Sequence, residues 1–151
     1  QIYAGHYHSG SIDHYEDTKQ QLSDFVSTVE QNGKLLRSVL NDKRSQGLKC
    51  YVFGASTKGN TMLQIWQLAD LFEGAAEIHS GKIGRYTVGT NIPSVEEQLA
   101  LEHADVLFVP NFGFKDLFIE KLESWIRSGG QLVFAMPTIE VIDESSLTMH
   151  T

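Results

Sequence analysis

The sequence predicts an α/β protein: a parallel sheet of about four to five strands flanked by helices and preceded by one long helix. Two observations predict it. Between residues 48 and 137, short apolar runs of strand length alternate with amphipathic stretches of helical period. Before them, residues 15–46 carry one long apolar stripe with the same helical period. Strands alternating with helices call for parallel pairing, with the sheet covered on both faces and right-handed crossovers.

Taken in order, residues 1–12 read as a short strand and a polar loop. Gln1-Ile2-Tyr3-Ala4 alternates, and His6-Tyr7-His8-Ser9-Gly10-Ser11 is polar. Leu22, Phe25, Val26, Val29, Leu36, Val39 and Leu40 then recur at helical spacing, so residues 15–46 form one helix, or two in line if Asn32-Gly33 breaks it. Lys43 and Arg44 suit the negative end of its dipole, and Gly47 is a stop signal. Cys50-Tyr51-Val52-Phe53 reads as a buried strand ending at Gly54. Residues 58–72 read as a helix with Met62, Leu63, Ile65, Trp66 and Leu68 on its apolar face, and residues 75–78 as a weak second strand with no clear acidic residue at its end. Residues 79–93 are loop-like. Ser94 and Glu97 form the capping-box pattern of a helix start. Residues 106–109 are a strand ended by Pro110, residues 115–128 an amphipathic helix ended by Gly129-Gly130, and residues 132–135 a last strand closed by Pro137. Residues 48–151 thus read as a Rossmann-like core, and residues 1–47 as a strand remnant, loop and long helix packed on it, one domain overall.

Composition narrows the function classes. The chain has 151 residues, 41% of them hydrophobic and 21% charged, with a net charge of −7. A domain of this size needs no disulfide or metal to hold its core. The acidic balance argues against nucleic acid as a partner, and no apolar run approaches the ~20 residues that span a bilayer. The single cysteine, Cys50, reads as a small buried hydrophobe and suits a reducing, cytoplasmic setting. No signal-peptide pattern opens the chain. It opens like the tail of a strand and without Met, which leads us to expect a piece of a longer polypeptide.

Three segments could carry chemistry. Gly54-Ala55-Ser56-Thr57-Lys58-Gly59-Asn60-Thr61 lies where the first strand turns into a helix, the crevice in which parallel sheets bind ligands. Amide groups there favour an anion, Ser56, Thr57 and Thr61 add hydroxyls, and Lys58 adds charge. Ser56 stands where the dinucleotide fingerprint has its middle glycine, which counts against a nicotinamide-dependent oxidoreductase; no P-loop lysine follows either. A tight turn with no ligand is the plain alternative. The second segment, Gly84 to Pro93, offers Arg85 for an anion, Tyr86 for stacking, and Thr90 and Asn91 for directional hydrogen bonds, or is simply a surface loop. The third, Pro110-Asn111-Phe112-Gly113-Phe114-Lys115, follows a strand; Asn111 could read a ligand or, more simply, cap the next helix. His6, His8 and His14 lack completing ligands, so no metal site is expected. No base can be placed beside a nucleophile, so no catalytic residue is assigned.

At these segments the chain resembles the C-terminal domain of SAM-dependent sugar C-methyltransferases. The likeness rests on Gly54-Ala55-Ser56-Thr57-Lys58-Gly59-Asn60-Thr61, on Gly84-Arg85-Tyr86-Thr87-Val88-Gly89-Thr90-Asn91-Ile92-Pro93, and on Asn111-Phe112 with Gly129-Gly130 downstream. Val88, Asn91 and Pro110 depart from the family pattern. The resemblance implies a Rossmann-like domain that holds a nucleotide-linked keto-deoxysugar against a methyl donor. In it Ser56, Thr57 and Lys58 contact phosphate, and Tyr86, Thr90, Asn91 and Asn111 line the cleft; Gly54, Asn60 and Arg85 complete the candidate set. SAM would be bound by a separate domain of the parent polypeptide that also carries the base. This chain has neither a G-x-G-x-G loop nor a Cys cluster, so by itself it would bind no cofactor and be inactive. The alternative is a stand-alone module for a nucleotide or other phosphate ligand.

Overall fold

The computed structural model describes residues 10–54 and 57–149, and side chains within residues 14–54 and 59–149. It comprises two compact units, Gln1–Gln31 and Asn32–Thr151. The strand expected at residues 1–4, and His6 and His8, lie outside the described residues. Helix α1 (Gly10–Ser45) starts inside the stretch expected to be loop and runs unbroken through Asn32-Gly33. In its first unit Leu22, Phe25 and Val26 share the predicted stripe yet are exposed.

Asn32 and Gly33 have tertiary reasons to be there. Asn32 is buried, and its Nδ2 donates to the carbonyls of Ala135 (2.8 Å) and Pro137 (2.9 Å). Gly33 lies under the Trp66 indole; a Cβ there would come within 2.6 Å of Nε1. From this point the stripe is buried, at Leu36 and Leu40.

The second unit is built on six strands: β1 (Cys50–Phe53), β2 (Gly74–Glu77), β3 (Ser94–Glu96), β4 (Val106–Phe108), β5 (Gln131–Phe134) and β6 (Glu140–Ile142). Their order is β3-β2-β1-β4-β5-β6. The first five are parallel and β6 runs antiparallel to β5. This is the strand order of the doubly wound nucleotide folds. The remaining helices are α2 (Thr57–Ile65), α3 (Glu97–His103), α4 (Lys115–Lys121), α5 (Glu123–Arg127) and α6 (Glu144–Thr148). Successive strand residues face opposite ways. Phe53, Leu107, Leu132 and Phe134 join one core with Ala100, Leu122, Ile126 and Leu147. Their neighbours Cys50, Val52, Val106, Phe108 and Val133 are equally buried, and Phe72 stacks on Phe108 at 5.9 Å. Burial on both faces is why these strands read as continuous apolar runs. No helix among the described residues is long and apolar enough to cross a membrane.

Four local expectations are corrected. The helix expected over 58–72 ends at Ile65: Gln67 takes a left-handed φ of 52°, Arg37 bonds its carbonyl, and a short 3-10 turn follows at Ala69–Leu71. Ile65 is consequently exposed, not core. Ser94 caps nothing, because residues 94–96 add a strand to the sheet edge and α3 begins afterwards with Glu96 at its cap. The helix over 115–128 is two helices, broken at buried Leu122 (ψ 11°). Strand β6 and helix α6 were not expected; Asp143 caps α6 by accepting from the Ser146 amide at 3.1 Å.

Candidate functional site

Chain order and strand order together place the site. From β1 the chain builds β2 and β3 on one side, then crosses to build β4, β5 and β6 on the other. The crevice beyond the carboxyl ends of β1 and β4 is therefore the topological switch point, where open α/β sheets bind ligands. Gly54 ends β1 with φ +74°, a left-handed conformation that suits glycine. In the first turn of α2, Gly59 meets the β4 loop: a Cβ there would stand 3.0 Å from Pro110 Cγ. The glycine brings the helix close to the switch point. Of the other predicted residues on this turn, Ser56 and the side chains of Thr57 and Lys58 lie outside the described residues.

The first turn of α2 divides two cavities. Asn60 lines one of about 320 Å³ together with Glu77, Lys82, Arg85, Tyr86, Thr87, Val88 and Ser94. Thr61 and Met62 line another of about 430 Å³ with Pro110, Asn111, Phe112, Gly113 and Phe114. The first is polar and charged; the second is mainly apolar, with Thr61 and Asn111 as its polar side chains. A third cavity, of about 360 Å³, takes in Phe53, Gly54 and Phe118, with the Lys121–Glu97 ion pair (2.8 Å) in its wall. Glu77 and Lys82 belong to both the first and the third.

Asn60, Arg85 and Tyr86 are thus brought together, Asn111 lies in the apolar cavity and Gly54 in the third. Thr90 and Asn91 line none of the three. They shape the segment from Gly84 to Pro93, which is a folded hairpin and not an open loop. Tyr86 bridges Pro93, the Thr87 amide donates to Ile92 (2.8 Å), and the Ile92 amide donates to Thr87 Oγ1 (2.9 Å). The Thr90 hydroxyl bonds that of Thr87, and Asn91 occupies a left-handed turn position with φ 54°. Gln64 of α2 donates to the Val88 carbonyl at 3.0 Å and ties the hairpin to the helix. Arg85 and Tyr86 are left with exposed side chains at the cavity. Asn111 makes no capping hydrogen bond, so the simpler role expected for it is not the one seen.

Sequence reasoning missed Glu77 and Lys82. The strand boundary was read one residue late, and the structure ends β2 on a carboxylate. Glu77 Oε1 accepts from the amides of Ile78 (2.9 Å) and His79 (3.0 Å). Among the described residues Lys82 and Arg85 have no ion-pair partner. In a chain of net charge −7, a cavity with two such cations and one carboxylate is a local positive balance. Cys50 is remote from this chemistry: it lies at the amino end of β1, and burial pushes its thiol up to about 11 despite the opposing charges of Arg44 and Lys43.

Residues 13–137 match the family model of the C-methyltransferase C-terminal domain. The match covers most of the chain, which belongs to that family. No curated protein matches the chain. The polar cavity does not fit S-adenosylmethionine: the donor is a sulfonium cation, and Lys82 and Arg85 line that space against a single carboxylate.

Proposed function

We propose that this chain is the substrate-binding domain of a C-methyltransferase acting on a nucleotide-linked keto-deoxysugar, with the SAM-binding and catalytic groups supplied by another domain of the parent polypeptide. One observation supports the proposal: Asn60 in the first turn of α2 shares a cavity with the Arg85-Tyr86 hairpin, and its neighbour Thr61 shares another with the Asn111 loop. In this reading the diphosphate rests on the amides and hydroxyls of Ser56 and Thr57 and on Lys58, with Arg85 as a second cationic contact. Asn60 and Tyr86 lie along one side of the ligand and Asn111 along the other. The contribution to catalysis is positioning, since a substrate held in attacking geometry avoids the entropy of a chance encounter.

Calorimetric titration with nucleoside diphosphates and their sugar conjugates tests this. Lys58→Ala should weaken binding about tenfold, as loss of a charge-assisted phosphate contact implies, with no change in melting temperature. Unchanged affinity would remove the phosphate site. Methyl transfer by residues 1–151 alone, given SAM and a keto-sugar nucleotide, would overturn the division of labour.

A further inference from the structure

We propose that the apolar stripe on the first half of α1 is the docking face for the SAM-binding domain of the parent polypeptide, an inference that rests on the division of labour proposed above. Every side chain from residue 14 to residue 28 is exposed. Tyr15, Leu22, Phe25 and Val26 are among them, Tyr15 at 65% and Phe25 at 58%. At 3.6 residues per turn these four and Val29 fall within an arc of about 100°. A stripe of that width ordinarily faces a core. No charged residue falls inside the arc, and Glu16, Asp17 and Asp24 fall on the opposite side. The family match begins at residue 13, so this half of the helix belongs to the domain itself.

The chemistry of the two faces narrows the occupant. A charge-free apolar stripe calls for an apolar surface. Helices that lie on anionic bilayers carry Lys and Arg on the polar face, whereas this one carries acids that the headgroups repel. A second copy offers too little area. Residues 14–31 span about 27 Å, and two such strips about 10 Å wide would bury roughly 600 Å² in all, short of the ~1,000 Å² of a stable complex. A domain of the same polypeptide needs less, because a covalent link holds it at an effective concentration of about millimolar.

The path of the chain points to the domain that brings the methyl donor. Asn32 bonds the carbonyls of Ala135 and Pro137, just past the carboxyl end of β5, and Lys43 bonds Gln131 at the amino end of that strand. The second half of α1 therefore runs against the strands and joins the sheet at its carboxyl edge. Ligands of open α/β sheets bind at that edge, so a methyl donor has to be delivered there. Its domain is thus brought to the point where α1 passes from its exposed half to its buried half.

Hydrogen exchange read by mass spectrometry, on residues 1–151 and on the parent polypeptide, tests this. Amides of residues 14–31 should exchange about tenfold more slowly in the parent, as for a helix face newly packed. Leu22→Gln with Phe25→Gln should abolish that protection in the parent and leave the melting temperature of residues 1–151 unchanged. Equal exchange in the two proteins would overturn the proposal, and so would protection that survives the double variant. Sedimentation of residues 1–151 should show a monomer at 10–100 μM, with no binding to phosphatidylserine vesicles. A dimer, or vesicle binding, that the double variant abolishes would hand the face to a second copy or to a membrane and overturn the proposal. None of these results touches the ligand site. A parent polypeptide without a SAM-binding domain would instead bring down the division of labour, and this inference with it.

Discussion

Gly33→Ala sets two effects of known sign against each other. In an exposed helix the change would stabilise by roughly 1 kcal/mol, because glycine loses more backbone freedom on folding. At Gly33 an ideal Cβ would stand 2.6 Å from Trp66 Nε1 and 2.7 Å from Cγ. That is roughly 1 Å inside ordinary non-bonded contact. The indole cannot simply swing into solvent, since Trp66 is only 9% exposed and neighbours buried Leu63 and Leu68 along the chain. Inserting a methyl into such packing costs about 1–3 kcal/mol, and contact this deep belongs at the upper end. The net expectation is a loss of about 1–2 kcal/mol, or a fall in melting temperature of roughly 3–8 °C. Calorimetric or circular-dichroism melts of Gly33→Ala, Trp66→Leu and the double variant measure it. The two changes should couple strongly, with the alanine costing little once the indole is gone. A melting temperature that rises in the single variant would refute the packing account and leave propensity in charge.

Two further outcomes follow from the same core. Asn32→Ala removes the donor shared by the Ala135 and Pro137 carbonyls; urea unfolding should show a loss of about 2–3 kcal/mol, since buried acceptors are left unpaired. The Cys50 thiol, raised to about 11 by burial, should resist alkylation at pH 8 in the native protein and react readily in urea. Its linkage has a definite sign. Between its ordinary value of 9.0 and about 11, the unfolded chain releases a proton that the native state keeps, so stability falls as pH rises. Cys50→Ala should flatten that part of the urea-midpoint profile.

Much of this molecule was legible in its sequence. The apolar runs at 50–53, 106–109 and 132–135 announced β1, β4 and β5 to within a residue, because both faces of a parallel strand are buried. The glycines flanking the junction of β1 and α2 marked the carboxyl edge of the sheet, and the family followed from motifs in order. Strand β3 was invisible. Three residues beginning with Ser94 carry a stronger helix-start signal than strand signal, and only the exposed edge of β2 recruits them. Strand β6 and helix α6 were hidden for a similar reason, as short elements docked on an existing sheet.

The candidate site divides the same way. Residue types and their spacing along the chain marked out a glycine-bearing junction after β1, a loop-like segment from Gly84 to Pro93 and an Asn-bearing loop, since those depend on local backbone chemistry. Which of them share a cavity was decided by the fold. Arg85 joins Asn60 because Gln64 ties the hairpin to α2, while Thr90 and Asn91 are consumed in building that hairpin. Glu77 meets them because β2 stops one residue earlier than its pattern suggests. Likewise Asn32-Gly33, locally a helix breaker, became part of an unbroken helix once Trp66 and two distant carbonyls gave it partners. Local sequence sets what a segment can do; contacts across long loops, worth more than the propensities they override, set what it does.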